Sequence, residues 1–217
     1  MSRFGDAPLE FFNSVYRDIP PWDIGGPQPA MSDLLTMYPP MNPILDVGCG
    51  SGDLSIHLAQ LGHQVVGIDF VDTAIAHAQE KIGSLPSEVA SLLNFQVADA
   101  LEPSLLQRKF GSVVDSGFFH LFDPDQCDRY IEELALTLLP GGRYYLHAFA
   151  IEFPIPNAPR QVNADELRAR FTPEKGWHIH EIRSVEFLSR VAPPVPAVSA
   201  CIERLPANRA LQRRVYP

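Results

Sequence analysis

The stretch that decides the fold is Ile44-Leu45-Asp46-Val47-Gly48-Cys49-Gly50-Ser51-Gly52. Its first four residues are typical of a buried parallel strand, and glycine then occupies every second position. A helix is predicted to begin directly after the last glycine. Glycine permits backbone angles that are closed to other residues, and it lets a ligand lie against the main chain. The stretch therefore predicts a strand, a ligand-binding loop and a helix.

The glycine spacing narrows the class of ligand. Loops that bind dinucleotides have the pattern G-x-G-x-x-G and hold a pyrophosphate at the N-terminus of the following helix. Here the pattern is G-x-G-x-G, and Asp46 lies two residues before the first glycine. A carboxylate at that place would repel a pyrophosphate, but it suits a ligand with an ammonium group and hydroxyls. The loop therefore predicts a ligand without phosphate.

Two further predicted strands also end in an acidic residue. The apolar run of residues 64–68 ends in Asp69, where a carboxylate can bind both ribose hydroxyls of a nucleoside. The run of residues 94–98 ends in Asp99-Ala100, where an acid and a backbone N–H could bind the edge of an adenine. No lysine or arginine for a phosphate accompanies them. The three strand ends together predict a nucleoside ligand.

This set of residues resembles the class I, Rossmann-like methyltransferases that depend on S-adenosylmethionine (SAM). Their D-x-G-x-G-x-G motif corresponds here to residues 46–52. The resemblance implies SAM as the cofactor and S-adenosylhomocysteine (SAH) as its product. On this basis we assign to the cofactor site Asp46, Gly48, Cys49, Gly50, Gly52, Asp69, Phe70, Asp99, Ala100 and Asp115.

The motif by itself is compatible with more than one class of protein. A nucleoside-binding or regulatory protein without catalytic activity could use the same fold. An NAD-dependent oxidoreductase is disfavoured because its glycine spacing differs. The motif could also be an ordinary tight turn between strand and helix, with surface acids after the neighbouring strands.

A second resemblance concerns the region before the first strand. Residues 20–29 are similar to the lid of small-molecule methyltransferases, a subgroup with thiopurine, thiol, halide and heterocyclic-toxin enzymes that carry P-W-x-x-G there. Residues 114–120 are similar to the same subgroup after the fourth strand. The resemblance implies that Trp22 covers the methionine half of the cofactor. On physical grounds Trp22 could equally be an anchor in the core.

The predicted chemistry is methyl transfer to an O, S or N atom of a small acceptor. Transfer from a sulfonium is an in-line displacement, so the protein mainly aligns the reactants and excludes water. Aromatic walls serve both purposes and also tolerate a positively charged sulfonium. They predict a mostly apolar aromatic or heterocyclic acceptor. The residues that we assign to acceptor binding are Tyr16, Phe118, Phe119, Phe149 and Phe153.

If the acceptor is a hydroxyl or a ring N–H, a base helps to remove its proton, and His120 is the best-placed histidine for this task. A thiol that is acidic enough to ionise unaided would not need a base. A histidine that bonds the loop backbone is an equally weighted alternative. Asp115 could bind an acceptor group, or it could cap a helix. No metal site is predicted, because His178 and His180 share only an alternating strand spacing without a convergent carboxylate or cysteine.

The predicted fold is a three-layer α/β domain with a Rossmann-like sheet of seven strands. The sheet is mostly parallel, and its last strand is antiparallel because a short connection precedes it. The fifth strand is predicted to begin at Arg143, after Pro140-Gly141-Gly142 ends a helix that Asp123 caps. We expect one domain over residues 1–217, and its parts are a helical N-terminal lid (1–40), the core (41–205) and a tail (206–217).

Composition limits the partners and the location. The formal net charge of −9 argues against nucleic acid, which is bound through clustered lysines and arginines. No apolar run reaches membrane-spanning length, and the N-terminus lacks a signal-peptide pattern. Three cysteines have neither disulfide-framework density nor metal-ligand spacing. We therefore expect a cytoplasmic protein, monomeric or weakly dimeric, that binds a small molecule and no membrane.

Overall fold

The computed structural model describes residues 8–154 and 158–206 of the chain. The described residues form seven strands, which join into a single sheet. The strands are β1 (Ile44–Val47), β2 (Val65–Asp69), β3 (Leu93–Val97), β4 (Phe110–Ser116), β5 (Leu138–Phe149), β6 (Trp177–Phe187) and β7 (Val195–Arg204).

The helices alternate with the strands in the central part of the chain. The α-helices are α1 (Pro8–Val15), α2 (Pro29–Met37), α3 (Asp53–Gln60), α4 (Asp72–Ile82), α5 (Ser87–Ala90), α6 (Pro124–Thr137) and α7 (Ala164–Arg170). Short 3-10 turns cover Pro103–Leu106, Phe119–Leu121 and Pro173–Lys175. The predicted cap of α6 is confirmed. The Asp123 side chain accepts the backbone N–H of Gln126 at 2.9 Å, and the Gln126 side chain accepts the backbone N–H of Asp123 at 3.1 Å. None of these helices has the length and apolar character of a membrane span.

The strand order is β3-β2-β1-β4-β5-β7-β6. Strand β1 pairs in parallel with β2 on one side and with β4 on the other, while β7 runs antiparallel to both β5 and β6. This topology confirms the predicted Rossmann-like sheet with a reversed last strand. Because the strand order reverses at β1, a ligand is expected outside the carboxyl ends of β1 and its neighbours.

The core lies on both faces of the sheet. Strand β1 is buried along its whole length, and its side chains alternate between two apolar clusters. Leu45 packs in the cluster that contains Tyr130 of α6, whereas Ile44 packs with Leu34 of α2 and Leu58 of α3. Helices therefore cover both faces, as the three-layer prediction requires.

One boundary differs from the prediction. Strand β5 begins at Leu138 and not at Arg143, because Leu138 already pairs with Phe110 of β4. The register then shifts, and Pro140-Gly141-Gly142 forms an irregularity within the strand instead of separating it from α6. Residues 1–7 and 207–217 lie outside the described residues, so the predicted division into lid, core and tail stays a prediction.

Candidate active site

The glycine loop between β1 and α3 has a backbone that other residues could not adopt easily. Gly50 has a φ of +54°, and a Cβ atom there would lie 2.6 Å from the hydroxyl oxygen of Tyr16. Gly52 has a φ of +83°, but its missing Cβ faces the protein interior, 2.6 Å from the Phe95 ring. Gly50 thus admits the lid residue Tyr16, while Gly52 permits close packing of helix on strand.

Asp69 at the end of β2 holds this loop in place. One of its carboxylate oxygens accepts the N–H of Gly50 at 3.0 Å, and the other accepts the N–H of Val71 at 2.9 Å. Burial raises the pKa of Asp69, and these backbone bonds oppose the rise. A carboxylate has about four acceptor positions, so Asp69 can still accept hydrogen bonds from a ligand.

Asp46 lies beside Asp69 as a second buried acid. Its Oδ2 atom accepts the Ser55 hydroxyl at 2.7 Å. Burial raises the pKa of Asp46 to about 7, and the charges of Asp115 and Asp69 contribute to the rise. We call Asp46, Cys49, Gly50 and Asp69 the glycine-loop end of the site. Two neighbouring acids make this end suited to a ligand with positive charge.

A cavity of about 410 Å³ opens above these residues. This volume falls within the range of about 300–1,000 Å³ that is usual for small-molecule sites. Twelve of the sequence-predicted site residues line its wall: Tyr16, Trp22, Asp46, Gly48, Cys49, Gly50, Asp69, Phe70, Ala100, Phe118, His120 and Phe149. The structure thus brings together the three strand ends, the lid and the exits of β4 and β5.

Five assigned residues lie outside the wall of this cavity: Gly52, Asp99, Asp115, Phe119 and Phe153. Asp99 is exposed and accepts the Leu101 N–H at 2.8 Å. Strand β3 ends at Val97, two residues before Asp99, and the exposed carboxylate lies in the connection that follows. At this edge of the cavity the structure places Ala100 in the wall instead of the acid.

Asp115, Phe119 and Phe153 make contacts within the protein instead of lining the cavity. Asp115 is fully buried, accepts the Phe118 and Phe119 N–H groups at 2.8 and 3.2 Å, and accepts the Tyr144 hydroxyl at 2.7 Å. These hydrogen bonds hold the turn after β4 in place. Phe119 is fully buried in the core, and Phe153 packs edge-on against Phe149 with ring centroids 5.0 Å apart.

Another part of the cavity wall is built from rings that contact one another. The His120 ring stacks on Phe149 with centroids 4.5 Å apart and planes 11° apart. Phe187 at the end of β6 contacts Phe149, also at 4.5 Å. We call His120, Phe149 and Phe187 the aromatic end of the site. These rings come from the loop after β4 and from the ends of β5 and β6, so they meet only in the folded sheet.

His120 is bonded to the backbone, as the alternative to a catalytic base predicted. Its Nδ1 atom accepts the Phe149 N–H at 3.1 Å. Burial lowers the pKa of His120 to about 3, and the nearby His147 and Arg160 lower it further. The imidazole is therefore neutral at physiological pH. A base at His120 stays a prediction, and this geometry does not favour it.

The segment that we predict to be a lid forms hydrogen bonds near both ends of the site. Ser51 donates to Asp23 at 2.9 Å, which joins the lid to the glycine loop. The Gln28 amide donates to the Leu188 carbonyl at 3.0 Å and accepts the Leu188 N–H at 2.9 Å. Trp22 lines the cavity and meets Tyr16 edge-on, with ring centroids 6.2 Å apart.

Sequence reasoning missed several residues of the wall, among them Gln28, Pro159 and Phe187. Gln28 could have been predicted, because it lies in the same segment (residues 20–29) as Trp22, which was assigned to the site. Phe187 and Pro159 had no sequence signal, because nothing local places the end of β6 or the segment before α7 beside the glycine loop. Phe12, a buried residue of α1, also lines the cavity.

Comparison with known proteins bears on the class of the molecule. Residues 44–142 match the family described as "Methyltransferase domain". The 2-heptyl-1-hydroxyquinolin-4(1H)-one methyltransferase of Mycobacteroides abscessus is 31% identical over 165 residues, which are 75% of this chain and 70% of that protein. The chain belongs to the SAM-dependent methyltransferases.

Two more proteins agree with this class. Probable thiol methyltransferase 2 of Arabidopsis thaliana is 30% identical to this methyltransferase over 70% of this chain and 67% of that protein. A solved structure from work on the conversion of a disulfide bond into a thioacetal group during echinomycin biosynthesis is 30% identical. It has a TM-score of 0.78 and covers 95% of this chain and 96% of that chain.

The predicted enzyme class and cofactor are thus confirmed, and the site of this methyltransferase fits the cofactor. Two buried carboxylates face the cavity, and no lysine or arginine of the described residues lines it. This donor set suits a sulfonium and an ammonium group better than a phosphate. Within the described residues, no three His, Cys, Asp or Glu side chains are arranged to hold a metal ion.

Proposed function

We propose that this methyltransferase transfers the methyl group of SAM to an O, S or N atom of a small, mostly apolar aromatic or heterocyclic acceptor. The observation that carries the proposal is the single cavity wall that joins an acidic glycine loop to a stack of aromatic rings. The acidic glycine loop suits the cofactor, and the aromatic rings suit a flat acceptor.

On the cofactor side we assign roles to three residues. Asp69 binds the ribose hydroxyls, Asp46 attracts the cofactor's positive charge, and Trp22 covers the methionine half. When bound, SAM supplies an electrophilic methyl group on a positively charged sulfur. The buried acids and the lid keep this charge out of water, which strengthens every electrostatic contact within the site.

On the acceptor side the aromatic end provides flat apolar surfaces. Phe149 and Phe187 offer ring faces, and Phe118 lies where the glycine loop meets this end, 2.9 Å from the position of a Cβ atom on Gly48. Two relatives are named for a hydroxyquinolone and for thiols, and both are small acceptors. The wall therefore supports a small acceptor that lies against rings and not a macromolecule.

A panel of acceptors tests the proposal. An N-hydroxyquinolone, a heteroaryl thiol, a phenol and an alkyl thiol are each incubated with SAM, and methylated product and SAH are quantified by mass spectrometry. We expect at least one aromatic or heterocyclic acceptor to give methylated product and SAH in equal amounts. If SAH binds in calorimetry but no acceptor is methylated, the binding-protein alternative on the same fold replaces this proposal.

A further inference from the structure

We propose that His120 donates a hydrogen bond from Nε2–H to the acceptor atom, and that this atom is already ionised when it enters the cavity. The inference rests on the proposed function and deepens it. It assigns to His120 the opposite role from the base expected of a histidine at this position, and it narrows the class of acceptor.

The first step is the tautomer of His120. A neutral imidazole carries one proton, so one nitrogen donates and the other accepts. The Phe149 N–H points at Nδ1 from 3.1 Å, and Nδ1 is therefore the acceptor. The proton must lie on Nε2. No hydrogen bond to a described residue engages Nε2, and the ring forms part of the cavity wall.

The second step is that the His120 ring is held in one orientation. The ring is stacked on Phe149, and the backbone carbonyl of His120 accepts the Arg160 N–H at 2.9 Å. Turning the ring over would point a carbon at the Phe149 N–H and leave that buried group unpaired, which costs about 1–3 kcal/mol. The ring therefore keeps one orientation, with Nδ1 as the acceptor.

The third step is that His120 is a poor proton acceptor. The titratable and charged groups that face it are His147 of β5 and Arg160 from the segment before α7. A proton gained by His120 would create a buried cation near Arg160, and Glu166, the carboxylate beside Arg160, is already paired with that guanidinium at 2.7 Å. The geometry and the charges thus both favour a neutral donor.

No other base is supplied by the elements that carry the aromatic end. The remaining ionisable wall residues belong to the N-terminal segment, to the glycine loop and its neighbouring strands, or to the first residue of α3: Tyr16, Asp23, Asp46, Cys49, Asp53 and Asp69. Burial and the charge of Asp69 raise the pKa of Tyr16 well above its usual value, so Tyr16 stays protonated. Among the described residues, nothing on β4, β5, β6 or their exit loops can take the acceptor's proton within the cavity wall.

The chemistry balances without a base. The acceptor loses its proton to solvent before binding. In the transfer step a lone pair of the anion forms the bond to the methyl carbon, the electrons of the broken carbon–sulfur bond stay on sulfur, and no proton remains to be moved. The Nε2–H group steadies the anion in a low-dielectric site until it reacts.

This arrangement selects among nucleophiles. An oxyanion or a thiolate has several lone pairs, so it can accept from Nε2–H with one and attack with another. An amine has a single lone pair, which the hydrogen bond would occupy. The expected acceptors are therefore acidic thiols and N-hydroxy heterocycles that ionise near neutral pH, whereas amines and aliphatic alcohols are poor substrates.

Two variants distinguish a hydrogen-bond donor role of His120 from the role of a base and from a purely structural role. His120→Asn places its amide oxygen near the Nδ1 position and can keep the Phe149 bond, but it loses the distal donor. His120→Gln can place an N–H near the Nε2 position. We expect kcat/KM for a heteroaryl thiol to fall about 10- to 100-fold in His120→Asn, and much less in His120→Gln. Acceptor affinity in the presence of SAH, measured by calorimetry above the thiol pKa, should follow the same order.

The pH profile supplies the second readout. In the wild type, the inflection of kcat/KM should move with the pKa of each thiol in a graded series, and it should persist in His120→Asn. Equal losses in both variants, a smaller loss in His120→Asn than in His120→Gln, or an inflection at one pH for every acceptor would overturn the proposal. SAH binding by each variant shows that the fold is intact, whereas its absence in the wild type would contradict the proposed function itself.

Discussion

The glycine-loop end and the aromatic end of the cavity are built in different ways. At the glycine-loop end, Asp46, Gly50 and Asp69 come from two adjacent strands and the loop between β1 and α3, and backbone bonds hold them. At the aromatic end, His120, Phe149 and Phe187 come from three separate elements, and contacts between their rings hold them together. One end is polar and local in sequence, and the other is apolar and assembled from a distance.

The difference teaches how the two substrates are recognised. A cofactor with fixed hydroxyls and charges needs polar partners at set places, which consecutive strand ends supply. An acceptor needs a flat apolar space, and rings from any element can enclose it. Mutations at the first end should therefore change cofactor binding and stability, while those at the second should change acceptor kinetics.

The largest expected effect concerns Asp46 and pH. Burial raises the pKa of Asp46 to about 7, so between about pH 4 and pH 7 the folded protein holds a proton that the unfolded chain has lost. The contribution of this group to stability is present below that window and is lost as the pH rises through it. The free energy of unfolding of Asp46→Asn, relative to that of the wild type, should therefore rise from about pH 4 to about pH 7, by at most on the order of 4 kcal/mol.

Urea denaturation at each pH checks this expectation. The comparison must be with the wild type at the same pH, because His120 and His147 have pKa values that burial lowers and act in the opposite direction. Asp99→Asn, at an exposed acid, is the matched control. A difference between Asp46→Asn and the wild type that does not change with pH would show that the pKa of Asp46 is not raised in the folded protein.

The second prediction concerns cofactor affinity. Asp69→Ala removes the proposed ribose partner and the bonds to Gly50 and Val71, so the Kd for SAH should rise about 100-fold. Titration calorimetry measures it, and Asp99→Ala should stay within about twofold of wild type because Asp99 lies outside the wall. A similar loss in both variants would place Asp99 at the adenine after all.

The third prediction separates two glycines with left-handed backbone. At Gly52 (φ +83°) a Cβ would lie 2.6 Å from the Phe95 ring and 3.0 Å from Ala78, whereas at Gly25 (φ +77°) it would meet nothing within 4 Å. Gly52→Ala should therefore cost about 2–3 kcal/mol of stability, and Gly25→Ala only about 1 kcal/mol of backbone strain. Equal costs in chemical denaturation would show that Phe95 moves aside.

The smallest effect is expected at the lid. Gln28→Ala removes both bonds to Leu188, the residue after Phe187, and so loosens the aromatic end. The KM for the acceptor should rise about fivefold, with little change in SAH affinity. Steady-state kinetics measure it, with Gln96→Ala on the exposed edge strand β3 as control. A larger effect on SAH than on the acceptor would assign Gln28 to the glycine-loop end.

Much of the fold followed from pattern alone. The strands and helices of residues 44–82 have the expected order because apolar runs, glycines and acids mark each boundary within a few residues. Strand β5 was placed five residues too late, since Pro140-Gly141-Gly142 reads as a terminator. In the structure β4 supplies a partner for Leu138, and tertiary pairing overrides the local preference.

The candidate site was predictable in part. The acids of β1 and β2, Asp46 and Asp69, lie in the cavity wall as expected. Asp99 does not, because its carboxylate is exposed and accepts the Leu101 N–H instead. Gln28 and Phe187 escaped notice for another reason. Nothing near them in sequence shows that the lid and the end of β6 meet.

Phe118 and Phe119 show where the sequence stops being informative. They are adjacent and chemically identical, yet Phe118 lines the cavity and Phe119 is buried in the core. The sequence by itself determined the class of fold and the acidic glycine loop, because backbone angles and charges act between residues close along the chain. Only the tertiary structure decided which rings face the acceptor and which nitrogen of His120 carries the proton, because an apolar ring packs equally well in a core or a cavity wall and a tautomer depends on its partner.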